Sequence, residues 1–251
     1  MQAKTIDDVL KLLAAIVADT KARKDPLGYF PALYRQVTLR VKAGITAGDF
    51  DNGPRMARFD AQFANAYFTA YDQYRSNKTP SRVWQFAFDR ARGGRTIILQ
   101  NLLLAINAHI NLDLGVVTGT TFAPAKLDDF HDDFNKINAL LASLIPLARN
   151  AVEDFSPLLA ELTEVGGPDV ARALEFSVDA ARDEAWRAAT LVSLTPGQAR
   201  PLVVGALDGK AKLLGRVVAD PPEPVGSVVR RIQRAESTDI AAIITALDNL
   251  V

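Results

Sequence analysis

Residues 96–118 have the sequence TIILQNLLLAINAHINLDLGVVT, which is apolar on almost every side when it is wound as an α-helix. A helix with this pattern is covered by other helices, so the sequence predicts an all-α fold, a multi-helix bundle around this buried central helix. The segment has the length of a membrane span, but its mid-helix Asp alone opposes insertion by roughly 2.5–3.5 kcal/mol. We therefore expect a core helix rather than a membrane span.

Composition limits the functional classes that remain. The 251 residues include 29 basic and 29 acidic ones, without long charge runs, so nucleic acid is not expected as a partner. The chain has no cysteine, which excludes disulfides, thiolate catalysis and cysteine-bound metals. Residues 1–8 lack the basic and then apolar pattern of a signal peptide, so we expect a cytoplasmic protein. The length and apolar content favour one domain over residues 1–251.

The rest of the chain also shows helical periodicity, interrupted by Gly and Pro turns. Gly115 to Gly119, followed by Pro124, is interpreted as the end of the central helix. Residues 220–224, with the sequence DPPEP, are interpreted as a linker before a terminal helical pair. The other predicted helices begin at Thr5 and cover residues 29–45, 55–74, 81–92, 127–154, 169–194, 195–219, 225–235 and 238–250, with a short helix between Ser156 and Gly166.

Polar side chains interrupt the apolar surface of the central helix: Gln100, Asn101, Asn107, His109, Asn111 and Asp113. Each costs roughly 1–3 kcal/mol if it is buried without a partner. His109 and Asp113 are four residues apart and can touch, which suits a general base and the carboxylate that orients it. The alternative is a structural pair. Asn107 and Asn111 have the same spacing and could either orient a ligand or bond to neighbouring helices.

The third helix adds Asp60, which lies inside an aromatic arc that also holds Tyr67. We predict that Asp60 is buried and approaches His109 or Asn107, where it would supply a second catalytic carboxylate; the alternative is a buried cap or salt-bridge partner. His109, Asp113 and Asp60 are thus the candidate catalytic residues. The candidate substrate-binding residues are Asn107, Asn111, Tyr67, Asn138 and Trp84. Trp84 also fits a role in interhelical packing.

The segment Asn107-Ala-His-Ile-Asn-Leu-Asp-Leu114 resembles the hallmark of an uncharacterised, all-helical, mostly actinobacterial family of domains of unknown function. Further matching positions, which extend the resemblance over most of the chain, are Tyr34 with Thr38, Phe59-Asp60 through Phe68, Trp84, Asp133-Phe134 with Asn138, and Ala181-Arg182 through Trp186. The resemblance implies a single helical domain with these polar residues gathered at its centre. It implies no reaction.

The His109-x-x-x-Asp113 spacing is also similar to that of the zinc-dependent helical phospholipase C and nuclease group. The chain has only two histidines, too few for the trinuclear site of that group. One metal ion held by His109, Asp113 and Asp60 remains an open alternative.

These observations lead to two main hypotheses. The first is an enzyme that performs acid–base chemistry on a small, largely apolar substrate in a pocket of the bundle core. The second is a non-catalytic bundle that binds a lipid-like small ligand. A small-molecule ligand is expected in both cases, whereas the cofactor and the oligomeric state are unknown from the sequence.

Overall fold

The computed structural model describes residues 1–161 and 178–250, and within these ranges the chain is helical and contains no β-strand. The all-α prediction is confirmed. The α-helices are α1 Ile6–Arg23, α2 Tyr29–Ala47, α3 Gly53–Arg75, α4 Arg82–Arg92, α5 Ile98–Ala108, α6 Gly115–Thr121, α7 Pro124–Glu153, α8 Val178–Leu194, α9 Arg200–Ala219, α10 Val225–Ala235 and α11 Ile240–Leu247. The predicted helix end at residues 166–168 and the predicted start at residue 169 lie outside the described residues.

The central helix, Ile98–Thr121, consists of α5, a π-helical segment at His109–Leu114, and α6. It is the one helix in the described ranges long and apolar enough to cross a membrane, and 78% of its most apolar window is buried inside the protein. The surrounding helices therefore cover its apolar surface, as the sequence pattern predicts. It begins two residues later than predicted because Ile97 has extended backbone angles, and its first turn is closed by the Gln100 side chain, which accepts from the Ile97 N–H at 3.1 Å.

The interpretation of Gly115 to Gly119 as a helix end is wrong, because both glycines lie inside the continuous helix. A β-carbon on Gly115 would lie 2.9 Å from the carbonyl oxygen of Ala185, and one on Gly119 would lie 2.4 Å from that of Ala189. The two glycines thus let α6 approach the backbone of α8 more closely than any side chain would allow. The sequence alone does not distinguish a glycine that allows close helix packing from one that ends a helix, and this is why the prediction was wrong.

The helices after residues 220–224 pack onto the same core as the start of the central helix. Apolar side chains of α10 and α11 share a cluster with Tyr29 and Ile98. Glu236, which follows α10, accepts from the backbone N–H of Ile98 at 2.9 Å and from the hydroxyl of Ser156. The first turn of a helix has N–H groups without intrahelical partners, so Glu236 stabilises the start of the central helix.

The central helix also packs against α2, α3 and α4. The helix α3 runs antiparallel to the central helix, because Tyr67 and Phe63 contact His109 whereas Phe59, earlier in α3, contacts Phe122. The hydroxyl of Thr121 also donates to Gln62 at 2.8 Å. This packing brings the aromatic face of α3 against the π-helical segment.

We predict that Gly119→Ala destabilises the protein by about 1–3 kcal/mol, because the added methyl group overlaps the backbone of α8 at Ala189. The measurement is the free energy of unfolding in denaturant at unchanged slope. Gly205→Ala in α9 is the matched control, because nothing lies within 4 Å of its added β-carbon. The control should be stabilised by roughly 0.5–1 kcal/mol through helix propensity. Equal effects of the two substitutions would contradict the close approach.

Candidate functional site

A chain of hydrogen bonds begins at the π-helical segment. His109 Nδ1 lies 3.0 Å from Asp113 Oδ2, and the indole N–H of Trp84 donates to the same oxygen at 2.9 Å. All three side chains are buried. A π-helical turn within an α-helix is rare and frequently marks a functional site. Here it carries both members of the His–Asp pair.

The geometry also indicates which nitrogen of His109 carries the proton. The indole of Trp84 can only donate, so Asp113 Oδ2 is an acceptor there, and an ionised Asp113 accepts from His109 Nδ1–H as well. Burial lowers the pKa of His109, although the charge and hydrogen bond of Asp113 oppose this effect. Burial raises the pKa of Asp113, while its bonds to His109 and Trp84 lower it. The lowered pKa favours the neutral imidazole, and when Nδ1–H donates to Asp113 the lone pair of that imidazole is on Nε2.

Five aromatic rings surround the imidazole of His109. The Phe63 ring is stacked on it, with centroids 3.8 Å apart and an interplanar angle of 8°. The other four have centroids between 4.8 and 6.4 Å from that of His109; they are Tyr34, Phe30, Trp84 and Tyr67. These rings come from α2, α3 and α4, so three neighbouring helices make the environment of His109 apolar.

Four buried polar atoms in this region have no hydrogen-bond partner: His109 Nε2, the hydroxyls of Tyr34 and Tyr67, and Asp60 Oδ2. Buried polar groups are almost always paired in folded proteins, and each unpaired one costs roughly 1–3 kcal/mol. Such groups call for a specific explanation, and binding of a polar ligand atom is one. We call His109, Tyr34, Tyr67 and Asp60 the unpaired cluster.

Asp60 is buried, which confirms that part of its prediction. Burial alone raises its pKa from 3.8 to about 7. The pKa of Tyr34 lies well above its ordinary value of 10, first because of burial and then because of the negative charges of Asp60 and Asp113. Tyr34 is thus electrostatically coupled to both carboxylates and contacts the His109 ring directly. Asp60 itself lies one helical turn before Phe63 on the same face of α3.

The asparagines of the central helix face another neighbour. The amide nitrogen of Asn107 donates to the carbonyl oxygen of Ala211 in α9 at 2.9 Å, and its oxygen accepts from Asn111 at 3.0 Å. Gln100 likewise donates to the carbonyl oxygens of Val218 and Ala219. The hydrogen bonds of Asn107 and Asn111 therefore go to each other and to α9 rather than to His109. Their bonds instead hold α9 against the central helix.

Asn138 also lies apart from the unpaired cluster. Its side-chain oxygen accepts from the guanidinium of Arg182, which in addition donates to the carbonyl oxygen of Phe134. Asn138 thus joins α7 to α8. The second histidine, His131, is exposed, lies 3.2 Å from the Asn135 amide and packs on Trp186.

Two side chains that contact His109 are missing from the candidate site residues predicted from the sequence. Tyr34 and Phe63 contact His109 most closely, yet they come from helices far from it in sequence. Both belong to the positions that carry the family resemblance, and this was the only available signal. Trp84, in contrast, was a candidate substrate contact, and its indole N–H is occupied by Asp113.

The single-metal alternative does not fit the described residues. No three His, Asp or Glu side chains within residues 1–161 and 178–250 form a group that could hold a metal ion. Asp113 Oδ2 is already shared by His109 and Trp84. His109, Asp113 and Asp60 therefore do not form a three-ligand metal site in the described part of the chain.

A scan of family models gives a match over residues 6–221, to a family of unknown function (DUF5995). The chain belongs to this family. The match contains the whole unpaired cluster, Asp113 and Trp84, and it ends before α10 and α11. No curated protein and no solved structure matches the chain.

The raised pKa of Asp60 predicts a specific pH dependence of stability. The folded state binds the Asp60 proton more tightly than the unfolded state, so the stability that Asp60 contributes is fully present below pH 3.8 and is lost as the pH rises to about 7. The two pKa values correspond to a loss on the order of 4 kcal/mol over this range. Asp60→Asn should remove that loss. The measurement is the free energy of unfolding at several pH values, and the exposed Asp132→Asn is the control that should follow the wild-type curve.

Two substitutions test how the unpaired Nε2 and the paired Nδ1 of His109 contribute to stability. His109→Leu removes the unpaired Nε2, so we expect a denaturant midpoint equal to or above that of the wild type. Asp113→Ala leaves both His109 Nδ1 and the Trp84 indole without an acceptor, so stability should fall by at least about 2 kcal/mol. A large fall in the midpoint of His109→Leu would instead indicate that His109 has a structural role.

Proposed function

We propose that the protein is an enzyme that performs acid–base chemistry on a small, largely apolar molecule, with His109 as the group that accepts and returns the proton. The observation that carries this proposal is the unpaired Nε2 of His109, which is buried while Nδ1 is held by Asp113. A general base needs this arrangement, because one nitrogen must be free for the substrate and the other must be fixed.

Asp113 and Trp84 act in this proposal as positioning residues. The carboxylate of Asp113 orients the imidazole and stabilises the positive charge that His109 acquires when it takes up a proton. The indole N–H of Trp84 in turn holds the carboxylate in place. A base positioned in this way contributes roughly 10²–10⁴ to the rate of a proton transfer.

In this proposal Tyr34 and Asp60 supply the hydrogen-bond donors that stabilise the negative charge on the substrate. When His109 removes a proton from a carbon next to a carbonyl group, the electron pair moves onto the carbonyl oxygen, which then needs hydrogen-bond donors. The Tyr34 hydroxyl is such a donor, since its pKa lies well above 10. Asp60, with a pKa of about 7, has a large protonated fraction near neutral pH and can donate as well. The apolar rings around His109 favour a largely apolar substrate and strengthen these polar contacts.

The proposal is tested by proton exchange. The protein is incubated in D₂O with a panel of small ketones, aldehydes and unsaturated ketones, and NMR follows the loss of the proton signal next to the carbonyl group. We expect exchange with the wild type and at least about 100-fold slower exchange with His109→Gln. His131→Gln is the matched control, because His131 is exposed and lies outside the unpaired cluster.

Two outcomes would contradict the proposal. Exchange at the same rate in His109→Gln and in the wild type would remove His109 from the reaction. A compound that binds at the cluster and undergoes no exchange would favour the alternative function, non-catalytic binding of a small ligand.

A further inference from the structure

Phe63 differs from the other four rings around His109. Tyr34, Phe30, Trp84 and Tyr67 are all buried, whereas Phe63 is only partly buried. His109 itself is 4% exposed, so a ligand reaches the imidazole only if a covering side chain moves. Of the five rings, Phe63 is the one that is partly exposed to solvent, so it is the ring whose displacement would connect His109 to the surface.

The position of Phe63 also defines the shape of the space that its rotation would free. Its ring lies parallel to the imidazole at the 3.8 Å spacing of stacked aromatic groups. The Phe59 ring is nearly parallel to that of Phe63, with centroids 6.1 Å apart and an interplanar angle of 14°. Because a phenyl ring is flat, the space that Phe63 would leave beside the imidazole is a flat slot, one ring thick. A planar molecule fills such a slot, whereas a bulky aliphatic one does not.

Unpaired polar atoms come from the helices that bound this slot. The Tyr34 ring lies 6.3 Å from that of Phe63 and 4.8 Å from that of His109. Asp60 precedes Phe63 by one helical turn on the same face of α3, and its charge is the one that acts most strongly on the Tyr34 hydroxyl. A ligand oxygen at the edge of the slot would give these groups the partner that they lack.

We propose that the site takes a planar, single-ring aromatic or conjugated compound that carries a hydroxyl or carbonyl oxygen, and that this compound replaces the Phe63 ring against His109. The inference rests on the proposed function, since it names the substrate class of the same site. Phe63 occupies the position of the ligand ring in the closed site, and the oxygen of the ligand binds to Tyr34 and Asp60.

The test compares phenol with toluene, which have the same shape and differ by a hydroxyl in place of a methyl group. Binding is followed by NMR of ¹⁵N-histidine in the full chain, which contains only His109 and His131. In the wild type, phenol should shift the His109 Nε2 resonance in a saturable manner and leave His131 unchanged. In Phe63→Ala phenol should bind at least tenfold more tightly than in the wild type, because no ring has to be displaced.

The preference for phenol over toluene identifies the polar contacts. In Phe63→Ala this preference should be at least tenfold, and it should disappear when Tyr34→Phe or Asp60→Asn is added. Phe130→Ala is the matched control, because the buried Phe130 ring packs on Phe59, Phe122 and Phe134 and on neither Phe63 nor His109. Its cavity should take toluene at least as well as phenol and leave the His109 resonance unchanged.

Equal affinities for phenol and toluene in Phe63→Ala would overturn the inference, because an apolar cavity alone gives that result. If Phe63→Ala does not fold, the wild-type titration decides, and the absence of a His109 shift with phenol would overturn it as well. Proton exchange that depends on His109 but occurs only with aliphatic carbonyl compounds would exclude the planar ring and leave the proposed function standing. Binding of phenol at His109, with no exchange of any carbonyl compound in the panel, would overturn the proposed function and leave the planar ring standing.

Discussion

The exclusion of water from the central helix determines how the other helices are arranged. A polar side chain buried on Ile98–Thr121 has to find its partner in another helix or on its own, because water does not reach it. Gln100 and Asn107 meet this requirement with backbone carbonyl groups of α9, and Asp113 meets it with Trp84 of α4. These bonds decide which side of each neighbouring helix faces the centre.

Against this background, the unpaired cluster is an exception that the fold tolerates. The same helix that pairs Gln100, Asn107 and Asp113 leaves His109 Nε2 without a partner. Tyr34 and Asp60, from two other helices, contribute further unpaired atoms. Natural proteins commonly keep such destabilising groups where function requires them, and the rest of the core carries the stability. The buried polar residues of the core are thus of two kinds, those whose hydrogen bonds join helices and those with an atom that has no partner.

Sequence patterns predict some of these features and not others, for physical reasons. An apolar surface on all sides implies burial whatever the neighbours are, so the central helix could be predicted from residues 96–118 alone. The four-residue spacing of His109 and Asp113 places them on one face in nearly any helix. The contacts of His109 with Tyr34 and Phe63 depend on how three helices pack, and helical periodicity contains no information on this. Asn107 and His109 are both polar residues in an apolar segment. Only the position of α9, whose backbone accepts a hydrogen bond from Asn107, shows that Asn107 joins two helices.

The π-helical segment has a consequence for the rotational phase of the central helix. Each residue of a π-helix turns the chain by less than a residue of an α-helix does, so α6 is rotated about the helix axis relative to a straight continuation of α5. Asn107 holds the first half against α9, and Gly115 and Gly119 hold the second half against α8. Neither half can turn to relax the segment between them. The irregular turn that carries His109 and Asp113 is thus locked from both ends, and the phase difference is a fixed property of the bundle.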